Sequence, residues 1–135
     1  MKEIMRGDIV YVDLGQHPKS SVQSGLRPCI VVSNDRNNKC STVVNVCPFS
    51  GKQDKKFIPV HVQVTPNDVD GFLDMVSVCM PEQIATVDKS KIIRKAGHID
   101  GNSDIMRRLE KAIMRQFGIN KETNICMIKE SAETD

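Results

Sequence analysis

The fold is decided first by a short strand-forming segment near the N-terminus, Asp8-Ile9-Val10-Tyr11-Val12-Asp13-Leu14. β-Branched and aromatic side chains favour strands, and alternation places Ile9 and Tyr11 together on one face. Further along, the continuous apolar run Cys-Ile-Val-Val at residues 29–32 predicts a second strand, buried on both faces. Three more strands are predicted at residues 42–47, 58–64 and 72–79. Short strands joined by polar loops favour a small, strongly bent antiparallel sheet or barrel.

The segments between the predicted strands are polar and rich in turn-forming residues. Residues 15–25, 33–41 and 48–56 are therefore predicted to be loops. Pro59 lies inside the fourth predicted strand, and proline cannot donate a ladder hydrogen bond, so that strand is expected to have a free edge there.

The second half of the chain is predicted to be helical. Asp88 or Ser90 would cap a short helix that runs through residue 95 and is closed by Gly97. A longer helix would begin at residue 102 or 103 and end at Gly118. Its apolar residues keep helical spacing, and the basic residues fall largely on the opposite side. The apolar set is Ile105, Met106, Leu109, Ala112, Ile113 and Phe117.

Length and charge limit the possible functions only broadly. The chain has 135 residues, which fits a single domain spanning 1–135, and the polar residues 129–135 are predicted to be a disordered tail. The formal net charge of +2 decides little, but residues 19–56 carry seven basic side chains against two acidic ones. Such a segment suits a polyanion such as RNA, although an ordinary set of solvated loops would have the same composition.

The cysteines and histidines predict neither disulfides nor a metal site. The chain has five cysteines without a Cys-x-x-Cys motif, and its three histidines have no metal-ligand spacing with them. Cys29, Cys47 and Cys79 lie in apolar runs, where free cysteine acts as a small hydrophobe, so we expect a reducing, cytoplasmic location. No apolar run approaches the roughly 20 residues that span a bilayer, and the N-terminus lacks the apolar region of a signal peptide.

Common enzyme motifs are absent from the sequence. It contains no HExxH, GxSxG, P-loop or GxGxxG motif, and no evident pair of catalytic carboxylates. Hard cations need clustered oxygen ligands, so metal-assisted chemistry is poorly supported, and no cofactor is expected. Among the histidines, His17 in the first long loop is the better functional candidate. His61 is expected to be exposed or half-buried, and His98 to lie at the surface.

Two polar segments beside buried strands are the candidate site. The first is Gln-Ser-Gly-Leu-Arg-Pro at residues 23–28, and the second is Pro-Phe-Ser-Gly-Lys at residues 48–52. Pro28 biases Arg27 toward an extended backbone, and Gly25 permits close approach of the backbone to a ligand. A guanidinium so placed could grip a phosphate with two parallel hydrogen bonds. An arginine at a strand start could equally be a surface salt-bridge partner.

Four ordered blocks of the sequence resemble the MazF/PemK family of toxin ribonucleases. They are Arg-Gly-Asp-Ile-Val-Tyr-Val-Asp-Leu at 6–14, the segment 23–35 that contains Gly-Leu-Arg-Pro, the segment 43–50, and Pro-Glu-Gln-Ile-Ala-Thr-Val-Asp-Lys at 81–89. The similarity then fades into the predicted helix at 104–118, so it covers the chain to about residue 118. The first block is weak alone, but the ordered set at family spacing is specific.

The resemblance implies a fold and an activity. The fold would be an SH3-like small barrel of the MazF/PemK/CcdB type, mainly β with helices, usually a homodimer. The activity would be endoribonuclease cleavage of single-stranded RNA at a short sequence, without a metal, leaving a 2′,3′-cyclic phosphate and a 5′-hydroxyl. A cognate MazE-like antitoxin would hold the enzyme inactive by laying its C-terminal segment in the RNA groove.

The resemblance also implies two catalytic positions, Arg27 in the Gly-x-Arg-Pro motif and Ser50 where the family has a catalytic threonine. Serine keeps the hydroxyl but loses the methyl group that restricts its rotamer. A second departure is Val22, where many members have an acidic residue. The residues expected to bind RNA are His17, Lys19, Gln23, Ser24, Phe49, Lys52 and Lys56.

Two alternatives of other classes remain open at this point. One is a non-enzymatic toxin on the same barrel that binds a DNA gyrase. The other is an RNA-binding barrel that does not cleave. The sequence gives neither the recognised RNA word nor the identity of the antitoxin.

Overall fold

The computed structural model describes residues 3–51, 58–71 and 76–119. In this part of the chain, eight strands form one curled antiparallel sheet of the half-barrel kind, with a C-terminal helix packed against it. The strands are β1 (Asp8–Asp13), β2 (Leu26–Val31), β3 (Val43–Gly51), β4 (Val62–Val64), β5 (Asp70–Gly71), β6 (Ser77–Cys79), β7 (Ala85–Asp88) and β8 (Ile92–His98). Their order is β4-β6-β3-β2-β1-β8-β5, and β7 also pairs with β3. The predicted mainly-β fold is confirmed.

The middle segments of the central strands are mostly apolar because they bury residues on both faces. On one face, Ile9, Ile30 and Cys47 belong to the cluster that packs against the C-terminal helix. On the other face, Val10, Cys29 and their neighbours form a second cluster. The run 29–32 therefore has the character expected of a strand between two layers, and Cys29 and Ile30 are fully buried.

The long helix α2 (Asp104–Gln116) begins where the sequence predicts. The Ser103 hydroxyl accepts a hydrogen bond from the Met106 amide at 3.2 Å, which caps the first turn. Its apolar face is buried on the sheet, whereas the basic residues of the helix are exposed. Phe117 is an exception: it lies just past the last turn and is 59 % exposed, so it does not pack in the core as its spacing suggested.

Two predicted loops are in fact regular structure. Residues 33–41 contain helix α1 (Asp35–Cys40), because the Asn34 side chain caps its first turn and Asn38 is buried against neighbouring polar groups. Residues 48–51, also predicted as loop, continue β3, because Phe49 and Ser50 pair with Cys79 and Val78 of β6. Pairing with a distant strand overrides the turn character of a proline and a glycine.

The predicted short helix at residues 88–97 is wrong. Asp88 does accept a hydrogen bond from the Ser90 amide, but the cap starts only a single 3₁₀ turn, Lys89–Lys91. The chain then enters β8, where Val10 pairs with Lys95 and Tyr11 with Arg94. Long-range pairing with β1 wins over the local capping signal.

Two predicted strands are shorter than expected. Of residues 58–64, only Val62–Val64 form a strand, and Pro59 lies in the turn before it. Of residues 72–79, Ser77–Cys79 are strand, while 72–75 lie outside the described residues. The predicted tail at 129–135 also lies outside them, so the single-domain boundary and the tail stay predictions. Within the described residues, no helix combines the length and apolar character needed to cross a membrane.

Candidate active site

The pairing of β2 with β3 brings the two predicted catalytic residues to the same end of one strand pair. Cys29 pairs with Pro48 and Ile30 with Cys47 in an antiparallel register. Arg27 lies two residues before Cys29 on β2 and Ser50 lies two residues after Pro48 on β3, so both stand just beyond the last pair of this ladder. Ser50 was predicted in a loop, but it lies on strand β3.

The two residues also belong to the same face of the sheet. Side chains alternate along a strand, so Arg27 shares a face with Cys29, and Ser50 shares a face with Val46. Cys29 and Val46 are both members of the cluster on the face that α2 does not cover. Arg27 also pairs with Val12 of β1, a third member of that cluster. Arg27 and Ser50 therefore extend the rim of this apolar layer.

Arg27 is half-buried and held by the loop that precedes it. Its Nε donates to the Ser24 carbonyl at 3.1 Å. Gly25, between the two, has a φ of +79°, a left-handed conformation that favours glycine. In residues 3–51, 58–71 and 76–119, no carboxylate pairs with Arg27 and no acceptor engages its two terminal nitrogens. Those nitrogens form the planar fork that suits a phosphate.

Ser50 lies in an enclosed position, only 5 % exposed. It pairs with Val78 of β6 and precedes Gly51, the last residue described before 58. Lys52 and Lys56, both predicted to bind RNA, lie outside the described residues. The position of Ser50 is thus fixed by its pairing with β6.

The remaining predicted residues lie mostly in the loop between β1 and β2. His17 and Lys19 are exposed, and the His17 Nε2 is 3.0 Å from the Leu14 carbonyl. Ser24 is half-buried and supplies the carbonyl that holds Arg27. Gln23 is only 7 % exposed, and its Oε1 is a buried acceptor without a partner among the described residues. The exposed Val22 stands where many members of the resembling family have an acid.

Phe49 is a correction to the predicted RNA-binding set. Its side chain is 1 % exposed and packs in the core cluster beneath α2. Because β3 alternates, the ring points to the face opposite Ser50. It cannot offer a face to an RNA base, and its role is that of a core residue.

The buried cysteines are free and poorly suited to act as nucleophiles. Burial raises the pKa of Cys29 to about 12, with a further rise from Cys47 that Arg27 partly offsets. Burial and the hydrogen bond with Cys79 raise the pKa of Cys47 as well. The predicted role of these residues as small core hydrophobes is confirmed. The described residues contain no cluster of His, Cys, Asp and Glu that could hold a metal ion.

Comparison with known proteins identifies the family. The family model for the PemK-like, MazF-like toxin of type II toxin–antitoxin systems matches residues 5–117. The protein "Endoribonuclease MazF" of Staphylococcus saprophyticus is 33 % identical over 115 residues, covering 85 % of this chain and 92 % of that protein. This chain belongs to the PemK-like, MazF-like toxin family.

Solved structures support the family fold. A mycobacterial endoribonuclease in complex with its cognate antitoxin superposes with a TM-score of 0.67 at 20 % identity, covering 89 % of this chain and 98 % of that one. MazF of Deinococcus radiodurans superposes with a TM-score of 0.67 at 18 % identity, covering 88 % and 100 %. The curled sheet with its C-terminal helix is thus the fold of MazF toxins.

Some polar side-chain contacts were not predicted from the sequence. The side-chain amide of Gln83 bonds to the backbone at residues 21 and 23, in the loop that leads to Arg27. The prediction that His61 is exposed or half-buried is wrong, because His61 is buried at 8 % exposure. Its Nε2 lies 2.6 Å from the Glu82 Oε2. The block Pro-Glu-Gln-Ile at 81–84 carried a family signal, but no pattern in it indicated contacts across 60 residues of chain. His98, predicted at the surface, has a 43 % exposed side chain that contacts buried Asp8.

Proposed function

We propose that this chain is the toxin of a type II toxin–antitoxin pair and cleaves single-stranded RNA without a metal ion. Membership of the MazF-like family and the name of the Staphylococcus relative support endoribonuclease activity. The observation that carries the site assignment is the register of β2 and β3. It leads Arg27 and Ser50 toward the same end of the strand pair, alternation along the strands assigns them to one face, and the guanidinium fork has no partner among the described residues.

The proposed reaction uses a nucleophile that belongs to the RNA. A ribose 2′-oxygen attacks the adjacent phosphorus while the bond from phosphorus to the 5′-oxygen breaks. The proton of the 2′-hydroxyl passes to water, the 5′-oxygen leaves with a proton from His17, and the products are a 2′,3′-cyclic phosphate and a 5′-hydroxyl. DNA lacks the 2′-hydroxyl and cannot react. No metal is needed to generate the nucleophile, so the protein has to align the attack and stabilise the charge on phosphorus.

Arg27 is the proposed source of that stabilisation. Its two terminal nitrogens would donate to the non-bridging oxygens as negative charge develops, and one well-placed donor contributes on the order of 3 kcal/mol. Ser50 would donate its hydroxyl to one of the same oxygens. His17, whose ring is anchored at the Leu14 carbonyl, would protonate the leaving oxygen. Val22 cannot act as an acid or base, so no carboxylate step is assigned to that position.

RNA would be bound as an unpaired strand along the loop between β1 and β2. Base edges are accessible in single strands and hidden in A-form duplexes. Lys19 would contact phosphate, as would Lys52 and Lys56, and their contacts would make affinity fall with salt. Gln23 and Ser24 would approach the strand beside Arg27. The proposal also has the protein act as a homodimer in the cytoplasm, where a cognate MazE-like antitoxin neutralises it. The antitoxin complex of the mycobacterial relative supports this arrangement.

A cleavage assay with mapped ends tests the proposal. Purified protein is incubated with a long single-stranded transcript, with and without EDTA, and the ends are determined. We expect cutting at a short recurring sequence, unchanged by EDTA, with cyclic phosphate ends. A substrate with a 2′-deoxy residue at the cut site should resist. Loss of cutting in EDTA would exclude the metal-free mechanism. RNA binding without cutting, or inhibition of a DNA gyrase without cutting, would exclude the ribonuclease itself.

A further inference from the structure

The side chain of Gln83 makes two hydrogen bonds to the backbone of a loop that is remote in sequence. Its Nε2 donates to the Ser21 carbonyl at 3.0 Å, and its Oε1 accepts from the Gln23 amide at 3.1 Å. The amide thus pairs with the loop as a neighbouring strand would, using its donor and its acceptor together. Both ends of the Gln83 amide are engaged by this chain.

The loop segment that these two hydrogen bonds clamp, residues 21–23, leads directly to Arg27. Residue 23 is followed by Ser24, whose carbonyl accepts the hydrogen bond from the Arg27 Nε. At its base, the loop is closed by two backbone hydrogen bonds, from Leu14 to Gly25 at 2.9 Å and from Gly25 to Gly15 at 2.8 Å. Between these two attachments, the loop runs over the surface, and residues 16–22 are exposed. Among the described residues, Gln83 therefore ties residues 21–23 of the loop to the 3₁₀ turn that follows β6.

The clamp holds the loop against a local cost. Gln23 is 7 % exposed, and its Oε1 is buried without a partner in the described part of the chain. A buried polar atom without a hydrogen bond destabilises its conformation, so Gln23 would move into water if the loop were released. Gln83 itself is well placed, since it ends the 3₁₀ turn Pro81–Gln83 that follows β6.

We propose that Gln83 is a positioning residue of the RNA-cleaving site, acting on Arg27 through residues 21–24 without contacting the scissile phosphate. This inference rests on the proposed function, because it concerns the rate at which Arg27 meets its substrate. Gln83 sets the fraction of molecules in which the loop is closed and Arg27 is aligned. Losing the clamp should therefore lower the rate of the bound complex more than it weakens RNA binding.

The first test is single-turnover cleavage of the transcript by Gln83→Met, which keeps the length of the side chain and removes both hydrogen bonds. We expect the maximal rate to fall about tenfold, while the protein concentration giving half of that rate changes less than threefold. Gln116→Ala is the matched control, because that glutamine is exposed at the end of α2. A wild-type rate for Gln83→Met, or a loss confined to RNA binding, would overturn the proposal.

The second test needs no catalytic activity. Lys19 is the sole trypsin site within residues 15–25, so the rate of cutting after it reports how often the loop opens. Trypsin should cut Gln83→Met there at least fivefold faster than wild type, at an unchanged Tm. Gln83→Glu keeps the acceptor for the Gln23 amide, so its cutting rate should lie between the two. Equal cutting rates, or a Tm lowered in both variants, would make Gln83 an ordinary fold residue. If wild type cuts no RNA but the trypsin order holds, the function fails and the clamp stands.

Discussion

The β2–β3 strand pair ends in two very different ways. Near Val31 and Val46, the Ser33 hydroxyl donates to the side-chain oxygen of Asn38. The backbone amide of Asn45 donates to that hydroxyl at 3.0 Å, and the side-chain amide of Asn38 donates to the Ser33 carbonyl at 2.8 Å. The two Asn38 contacts join the segment just after β2 to α1, and the Asn45 contact joins the same segment to β3. Near Arg27, by contrast, the guanidinium fork and the Gln23 oxygen have no partner among the described residues.

The difference teaches how one strand pair can serve both stability and function. Buried polar groups are normally paired, and those that are paired rigidify the structure around them. Unpaired polar groups beside a rigid sheet are costly to the fold, but they are available to a ligand that can pair them. The Asn38 end should therefore control the free energy of unfolding, and the Arg27 end should control activity.

Arg27→Ala tests the active end and has the largest expected effect. We expect kcat/KM for RNA cleavage to fall on the order of 100- to 1000-fold, because the variant loses the donor that meets the developing charge. Tm should change little, since the variant loses one hydrogen bond, from the Arg27 Nε to the Ser24 carbonyl, and the terminal nitrogens have no contact within the described residues. Arg27→Lys should recover little, because an ammonium group lacks the bidentate fork.

Arg108→Ala is the control for loss of one positive charge, because Arg108 is exposed on α2 away from the two strands. Its cleavage rate should match wild type. Ser50→Ala should lose less activity than Arg27→Ala, since it removes a neutral donor. If the order is reversed, or if Arg27→Ala still cuts normally, the division between the two ends does not hold.

Some elements could be predicted from the sequence and others could not, and the difference has a physical reason. The buried run after Pro28 and the arginine before it were readable locally, and so was the Ser103 cap of α2. The extension of β3 through Ser50 was not, because it depends on pairing with β6, 26 or more residues further along the chain. The helix predicted from Asp88 failed likewise, because the capping signal was genuine but β1 recruited the following residues as a strand.

The polar contacts of the site were beyond what sequence patterns show. Gln83 and Gln23 are 60 residues apart, and a glutamine has no periodicity that would reveal its partner. Phe49 shows the converse error, in which an aromatic next to a basic loop suggested base stacking. The one-residue alternation of β3 decides the matter, since it turns Phe49 into the core and Ser50 to the opposite face.

Asn38→Ala tests the stable end and should have the next largest effect. Asn38 is 1 % exposed, and its loss leaves the Ser33 hydroxyl and carbonyl without their partner. We expect the free energy of unfolding in urea to fall by about 2 kcal/mol. Cleavage per folded molecule should stay at the wild-type level at a temperature where both proteins are folded. The exposed Asn37 gives the control variant Asn37→Ala, and equal stability of the two variants would contradict the comparison.

Alkaline pH should lower the free energy of unfolding through the apolar layer that joins the two ends of the strand pair. This is the smallest of the expected effects. Burial raises the pKa of Cys29 from 9.0 to about 12, so between these values the unfolded chain releases a proton that the folded chain retains. Stability is therefore lost as pH rises through this window, by up to about 1.4 kcal/mol per pH unit for one group. Between pH 8 and 10, Cys29→Ala should lose about 1 kcal/mol less than wild type in urea unfolding. Parallel losses in the two proteins would mean that Cys29 titrates in the folded state as it does in the unfolded chain, and that the layer beneath Arg27 is open to water.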